Sequence, residues 1–269
     1  MPFMLALIAT NAAYGAPPVL YWSQFGLPPL IGHVNLDGSD RVTLPQTTRT
    51  VGMETLDATR HVYWIDDNVR AIMRANSDFT GVVPLVTGLS SPSGNVALDP
   101  AADLIFWSNA GSRTIGRANL SGGQILGTFS ASGNGPDDLA TDPVHQLLYW
   151  GNHSGEVMRS NYDGTGQVML LNLVSDSSVP GATGLDLDLA AGKMYLSQPN
   201  SHRILRANLD GTGLETVLNV PERPFGMELF DGRMYWADLD GGRLRSANLD
   251  GTDVITGFLQ SFRSIPIGP

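Results

Sequence analysis

Apolar and polar residues alternate along this chain in short runs, each closed by glycine, proline, asparagine or aspartate. Such runs read as short β-strands between tight turns, and no stretch keeps a helical period. The runs Gly52–Asp57, Gly94–Asp99, Asp138–Asp142, Gly184–Asp188 and Gly226–Asp231 each precede an aromatic or aromatic-aliphatic pair. The pairs are Tyr21-Trp22, Tyr63-Trp64, Phe106-Trp107, Tyr149-Trp150, Tyr195-Leu196 and Tyr235-Trp236, with spacings of 42, 43, 43, 46 and 40 residues between second members. An aliphatic residue four positions before an asparagine follows in every copy: Ile31/Asn35, Ile72/Asn76, Ile115/Asn119, Val157/Asn161, Ile204/Asn208 and Leu244/Asn248. Asp-Gly signals such as Asp163-Gly164, Asp210-Gly211 and Asp250-Gly251 come next, where glycine accepts the positive φ of a strand-matching turn.

Six copies at this period nearly exhaust the 269 residues. Each copy predicts four antiparallel strands, a unit too small to bury its apolar faces alone. Radial stacking buries them and leaves only short edges, which predicts one all-β domain over 1–269, a six-bladed propeller. The aromatic pair falls on the second strand of each blade and is expected between blades. Only five units carry an inner strand of their own, and Phe3–Asn11 is expected to supply the sixth. Pro266-Ile267-Gly268 reads as a turn before an inner strand, so the termini are expected at the ring seam.

These copies resemble the YWTD repeats (class B repeats) of the low-density-lipoprotein-receptor family. The resemblance spans residues 3 to about 257 and implies the same propeller fold. The third and fourth motif positions depart from Thr-Asp: Ser23-Gln24, Ile65-Asp66, Ser108-Asn109, Gly151-Asn152, Ser197-Gln198 and Ala237-Asp238. The family arginine persists at Arg74, Arg117, Arg159 and Arg206, while His33 and Ser246 replace it in the other copies. In the family's receptors, disulfide-bonded modules follow the propeller. This chain has no cysteine, so a receptor role is not expected from the resemblance.

Composition narrows the chemistry. Sixteen basic and 26 acidic residues give a net charge of −10, against the basic stripe that nucleic-acid binding needs. The lack of cysteine removes thiolate metal sites and thiol catalysis. No apolar run reaches the roughly 18 residues of a membrane span. Phe3–Thr10 and the small residues to Ala16 imitate a secretory signal but lack its positive start. A cytoplasmic location is therefore favoured, with secretion the alternative if residues 1–16 act as that signal. The five histidines show no metal-ligand spacing, and no nucleophile elbow occurs.

Alternating strand direction puts the second-to-third and fourth-to-first loops on one face. That face is expected to collect Gln24, Asp66, Asn109, Asn152, Gln198 and Asp238, one polar residue per blade, bonded blade to blade or offered to a ligand. His153, His202, Arg49, Arg223 and Phe25 join them there, the arginines as anion-stabilising groups and Phe25 as an apolar wall. On the inner strands Glu54, Asp186 and Glu228 are placed level with Ile8, Val96 and Leu139, with Asn95 and Asp138 one step earlier. Acids beside the axis could form a general acid–base cluster, ligate a hard cation, or be paired structurally.

Two functions are weighed. The favoured one is a small-molecule site at the channel mouth with no cofactor and no metal, in which Glu54, Asp186, Glu228, His153 and His202 carry catalysis. A free-standing propeller resembles the single-domain propellers of natural-product pathways, which implies a cyclase, of the hetero-Diels–Alder kind. The alternative is a non-catalytic module binding a protein or ligand, the role the fold has in the receptor family.

Overall fold

The computed structural model describes residues 3–9, 19–24, 30–36, 39–45, 50–56, 59–90, 92–133, 135–152, 154–173, 184–238 and 242–259. These residues form six four-stranded antiparallel sheets, each continuous in sequence. The inner strands are Phe3–Ala9, Thr50–Leu56, Val96–Asp99, Pro136–Asp142, Gly184–Asp188 and Pro224–Phe230, defining blades 1 to 6. Each inner strand contacts the next, and the first contacts the sixth, so the ring closes. The N-terminal segment supplies the inner strand of blade 1, as its repeat position requires. The C-terminal Pro266-Ile267-Gly268 lies outside the described residues. A single 3₁₀ turn at Pro199–Ser201 is the helical structure among them, and no helix is long and apolar enough to cross a membrane.

The aromatic pairs hold the ring together by dividing their labour between seams. Six buried clusters each join two blades. The first member of one pair meets the second member of the next: Tyr21 with Trp64, Tyr63 with Trp107, Phe106 with Trp150, Tyr149 with Leu196, and Tyr195 with Trp236. Tyr235 and Trp22 repeat the contact across the seam between the last blade and the first. Neighbouring strand residues point to opposite faces, so adjacent aromatics necessarily serve opposite seams. Truncating one such buried indole costs on the order of 3–5 kcal/mol.

The third-to-fourth turns explain the Asn-x-Asp-Gly-Thr signature. Asn161 Nδ2 donates to Thr165 Oγ1 at 2.9 Å, and Thr165 Oγ1 donates to Asp163 Oδ1 at 2.6 Å. Asn208 and Asn248 repeat the arrangement with Thr212 and Thr252. Gly164, Gly211 and Gly251 supply φ of 84°, 87° and 83°, where a side chain would be strained.

One expectation about register is corrected. Glu54, Asp186 and Glu228 face Tyr63, Tyr195 and Tyr235, which places them level with Ala97 and Ala140, one residue beyond Val96 and Leu139. Ile8 faces Leu20 and is level instead with Thr55. The offset between Val96 and Asp186 lies in the spacing of each strand from its aromatic pair, since blades 3 and 5 pair without any bulge; separate β-bulges lie between Val51 and Met53, Phe225 and Met227, Pro136 and Leu139, and Leu5 and Ile8. Each bulge adds a residue to one strand only. Gly52 and Gly226 sit in two of them at φ 54° and 56°.

Candidate functional site

The polar ring at the mouth is built, but its members serve their own hairpins. Asp66 Oδ1 accepts the backbone N–H groups of Asn68 and Val69, both at 3.1 Å. Asn152 Oδ1 accepts from Ser154 N, Ser154 Oγ and Glu156 N at 3.1, 2.8 and 3.0 Å, and its Nδ2 donates to Glu156 Oε2 at 2.7 Å. Asn109 Nδ2 donates to Thr114 Oγ1 at 3.2 Å, and Gln198 Oε1 accepts from Arg203 Nε at 2.6 Å. Asp238 accepts from Arg245 at 3.2 Å. All five side chains are buried. Each of these bonds stays inside its own blade, in the second-to-third turn or on the third strand beside it. A turn leaves backbone donors that a short polar side chain satisfies most easily from the adjacent strand end.

Other mouth residues are dispersed. His202 is exposed, holds a left-handed φ of 52°, and has Nδ1 3.1 Å from the Pro221 carbonyl oxygen. Arg223 is exposed on the linker between blades 5 and 6. Arg49, Phe25 and His153 lie outside the described residues, as does the side chain of Gln24.

At the axis the accounting is different. Asp138 is buried, while Glu54, Asp186 and Glu228 keep partial exposure. Asp138 Oδ2 accepts the Leu185 N–H of the next blade at 2.8 Å. Its Oδ1 accepts the Leu139 N–H at 3.0 Å and Asn95 Nδ2 from the preceding blade. Asp186 repeats the device, with Oδ2 accepting the Leu229 N–H of blade 6 at 2.8 Å and Oδ1 that of Leu187 at 2.7 Å. Inner strands are sheet edges with unpaired N–H groups. The two aspartates are struts that cap the edge of one blade from the blade before.

Glu54 and Glu228 occupy the same register as Asp186 with one more methylene, and among the described residues neither forms the strut. There Glu54 Oε1 accepts its neighbour's Thr55 N–H, at 3.3 Å, and Glu228 hydrogen-bonds the Asp186 carboxylate. Burial, then the charge of Asp186, holds the Glu54 carboxyl well above the usual carboxylate range. Burial, then the charges of Asp186 and Glu54, does the same to Glu228. Burial raises Asp138 to about 7 against the pull of the Asn95 and Leu185 hydrogen bonds, and raises Asp186 to about 6 against those of Leu229 and Leu187. The two glutamates are thus the axial acids whose neutral form burial favours most. Among the described residues no arginine or lysine forms an ion pair with any of the four acids. Nor does any group of three or more His, Asp or Glu among them have the arrangement of a metal site.

Sequence reasoning missed Arg245 and Glu222. Arg245 is 5% exposed and pairs with both Asp238 and Glu222. The available signal was its position: it faces Trp236, where other blades place Met73, Met158, Leu205 or glycine.

No protein-family model and no curated protein matches the chain. Solved structures do. A chain of a nidogen/laminin complex matches with TM-score 0.72 and 21% identity, over 88% of this chain and 91% of that one. A gluconolactonase from Xanthomonas campestris matches with TM-score 0.63 and 20% identity, over 95% of this chain and 84% of that one. The chain is a six-bladed β-propeller of YWTD-like arrangement, the fold it shares with these proteins.

Proposed function

We propose that this propeller binds a small molecule at the axis and processes it by general acid catalysis, with Glu228 and Glu54 as proton donors. The observation that carries the reading is the split among the axial acids: Asp138 and Asp186 are consumed by backbone caps, whereas among the described residues Glu54 and Glu228 make no cap across to the next blade. A neutral carboxyl held near an axis of low polarity can donate a hydrogen bond to a substrate carbonyl, which stabilises negative charge developing there. Asp186, hydrogen-bonded to Glu228, takes up or returns the proton as the charge moves. His202 and Arg223 are assigned as contacts for the substrate periphery; from the sequence reading alone, Arg49 and His153 are assigned with them and Phe25 as an apolar wall.

A reaction that needs only a carbonyl activated and two reacting ends held together fits this chemistry, as in a cyclase of natural-product type. Lactone opening also proceeds through a carbonyl that gains negative charge, and a gluconolactonase shares the fold. The carbonyl is common to both, and it defines the substrate class. A non-catalytic interaction module is the second reading, favoured by the fold shared with a chain of the nidogen/laminin complex.

The test begins with small molecules that copurify from the native source, identified by mass spectrometry. Glu54→Gln and Glu228→Gln are expected to keep the fold and lose conversion of the identified compound by 10²–10⁴-fold, the usual span for a proton donor. Unchanged conversion in both variants, or a compound bound and never converted, would overturn the enzymatic reading.

A further inference from the structure

Blade 6 breaks a rule that the other five keep. The residue facing the second aromatic across the second and third strands is Gly32, Met73, Gly116, Met158 or Leu205 in blades 1 to 5. Met158 and Leu205 are members of the seam clusters, and Met73 packs against one. In blade 6 the slot holds Arg245, whose side chain is 6% exposed. Its guanidinium joins two carboxylates. Asp238 ends the second strand of blade 6, and Glu222 lies on the linker that leaves blade 5. A buried triad of one arginine and two acids gives a seam no more stability than three apolar side chains of similar size would. What it does supply is a fixed geometry between the linker and the blade.

The linker leads directly to the axis. Val220 N–H bonds the His202 carbonyl at 2.8 Å, Glu222 is held by Arg245, and Pro224–Phe230 then runs inward with Glu228 and Leu229 near its end. Leu229 N–H is the donor that Asp186 caps. The inner strand of blade 6 is thus tied at its far end by Asp186 and at its near end by Arg245, with the bulge at Gly226 between them. Arg245 Nε and Glu222 Oε2 are buried without protein partners, as in a clamp kept for position at some cost in hydrogen bonding.

We propose that Arg245 is a positioning residue: by clamping Glu222 to Asp238 it sets the register of the blade 6 inner strand, and with it the placement of Glu228 against Asp186. The inference rests on the reading of Glu228 as a working acid, yet its test needs no substrate. Arg245→Met installs the side chain that blades 2 and 4 use at this place. The variant leaves the buried Asp238 carboxylate without the Arg245 cation and is expected to melt below the wild-type temperature while keeping the fold. Amide exchange at Leu229 is expected to quicken about tenfold, as a loosened strand end opens locally. The Glu228 carboxyl, followed by ¹³C NMR, is expected to titrate closer to the ordinary glutamate range. Glu222→Gln, which keeps the shape and removes one charge of the clamp, moves both readouts the same way and less. Wild-type exchange at Leu229 and a wild-type Glu228 titration in Arg245→Met would overturn the proposal, and so would a general loss of protection across all six blades. Should Arg245→Met fail to fold, Glu222→Gln decides alone. Should the acid-catalysis reading fail, exchange at Leu229 still answers the positional question.

Discussion

Two rings of polar residues look alike in the sequence and differ in what their hydrogen bonds do. The mouth ring gathers one polar side chain per blade, and the described members Asp66, Asn109, Asn152, Gln198 and Asp238 bond within their own blade. The axial set is sparse and irregular. Its members bond across to the next blade, as Asp138 and Asp186 do, or stay short of a full set of partners, as Glu54 and Glu228 do. Regular polar residues in a repeat protein serve the repeat, and the irregular ones are where function is to be sought. The accounting of donors and acceptors separates the two.

The sharpest way to break this contrast is to remove a strut. Asp138→Ala leaves the Leu185 N–H and the Asn95 amide without their acceptor, and is expected to cost about 2–4 kcal/mol, read by denaturant unfolding. A loss no larger than that of a surface substitution would mean that the cross-blade cap carries little. In the mouth ring, Asn152→Ala removes a cap that gathers three donors, and about 1–2 kcal/mol is expected with no change at the axis. If Asn152→Ala altered the axial titrations, the two rings would not be independent.

The free glutamates should behave in the opposite sense. Glu54→Gln and Glu228→Gln replace groups whose neutral form burial favours, so stability should change by less than about 1 kcal/mol, or rise slightly in alkaline buffer. The pH dependence follows from the direction of the shifts. Asp138 moves from 3.8 to about 7 on folding and Asp186 from 3.8 to about 6, so each binds its proton more tightly in the folded state. That stabilisation is complete below the unfolded value and is lost as pH rises through the folded one. Melting temperature is therefore expected to climb on going from about pH 8 to about pH 6, by a few degrees. Burial lowers His33 and His61, which works against the trend as the pH falls through their own titrations. The double variant Glu54→Gln/Glu228→Gln is expected to flatten the climb, because these glutamates hold the coupled axial protons.

The blades, their number and the N-terminal inner strand were legible because aromatic pairs, Asn-x-Asp-Gly turns and apolar alternation report local geometry. The seam contacts followed from strand alternation, which sends Tyr63 and Trp64 to opposite neighbours. The axial register was not legible from the leading glycines, because the distance from glycine to aromatic pair varies: Gly94 stands one residue farther from Trp107 than Gly184 from Leu196. Glu54, Asp138, Asp186 and Glu228 were found as a set, but not which acids brace the ring and which are left over. That distinction turns on one methylene between Asp186 and Glu228, and on a donor from another blade. Arg245 was passed over because Ser246, at the family arginine position, drew the reading instead.

The central claim is that two carboxyl groups stay protonated at the axis while two others hold the inner strands together. Site-resolved ¹³C titration of the Asp and Glu carboxyls tests it directly. Glu54 and Glu228 should titrate well above the ordinary glutamate range, with Asp186 and Asp138 titrating near 6 and 7. Four ordinary carboxylate midpoints, all ionised by pH 5 or so, would contradict the claim.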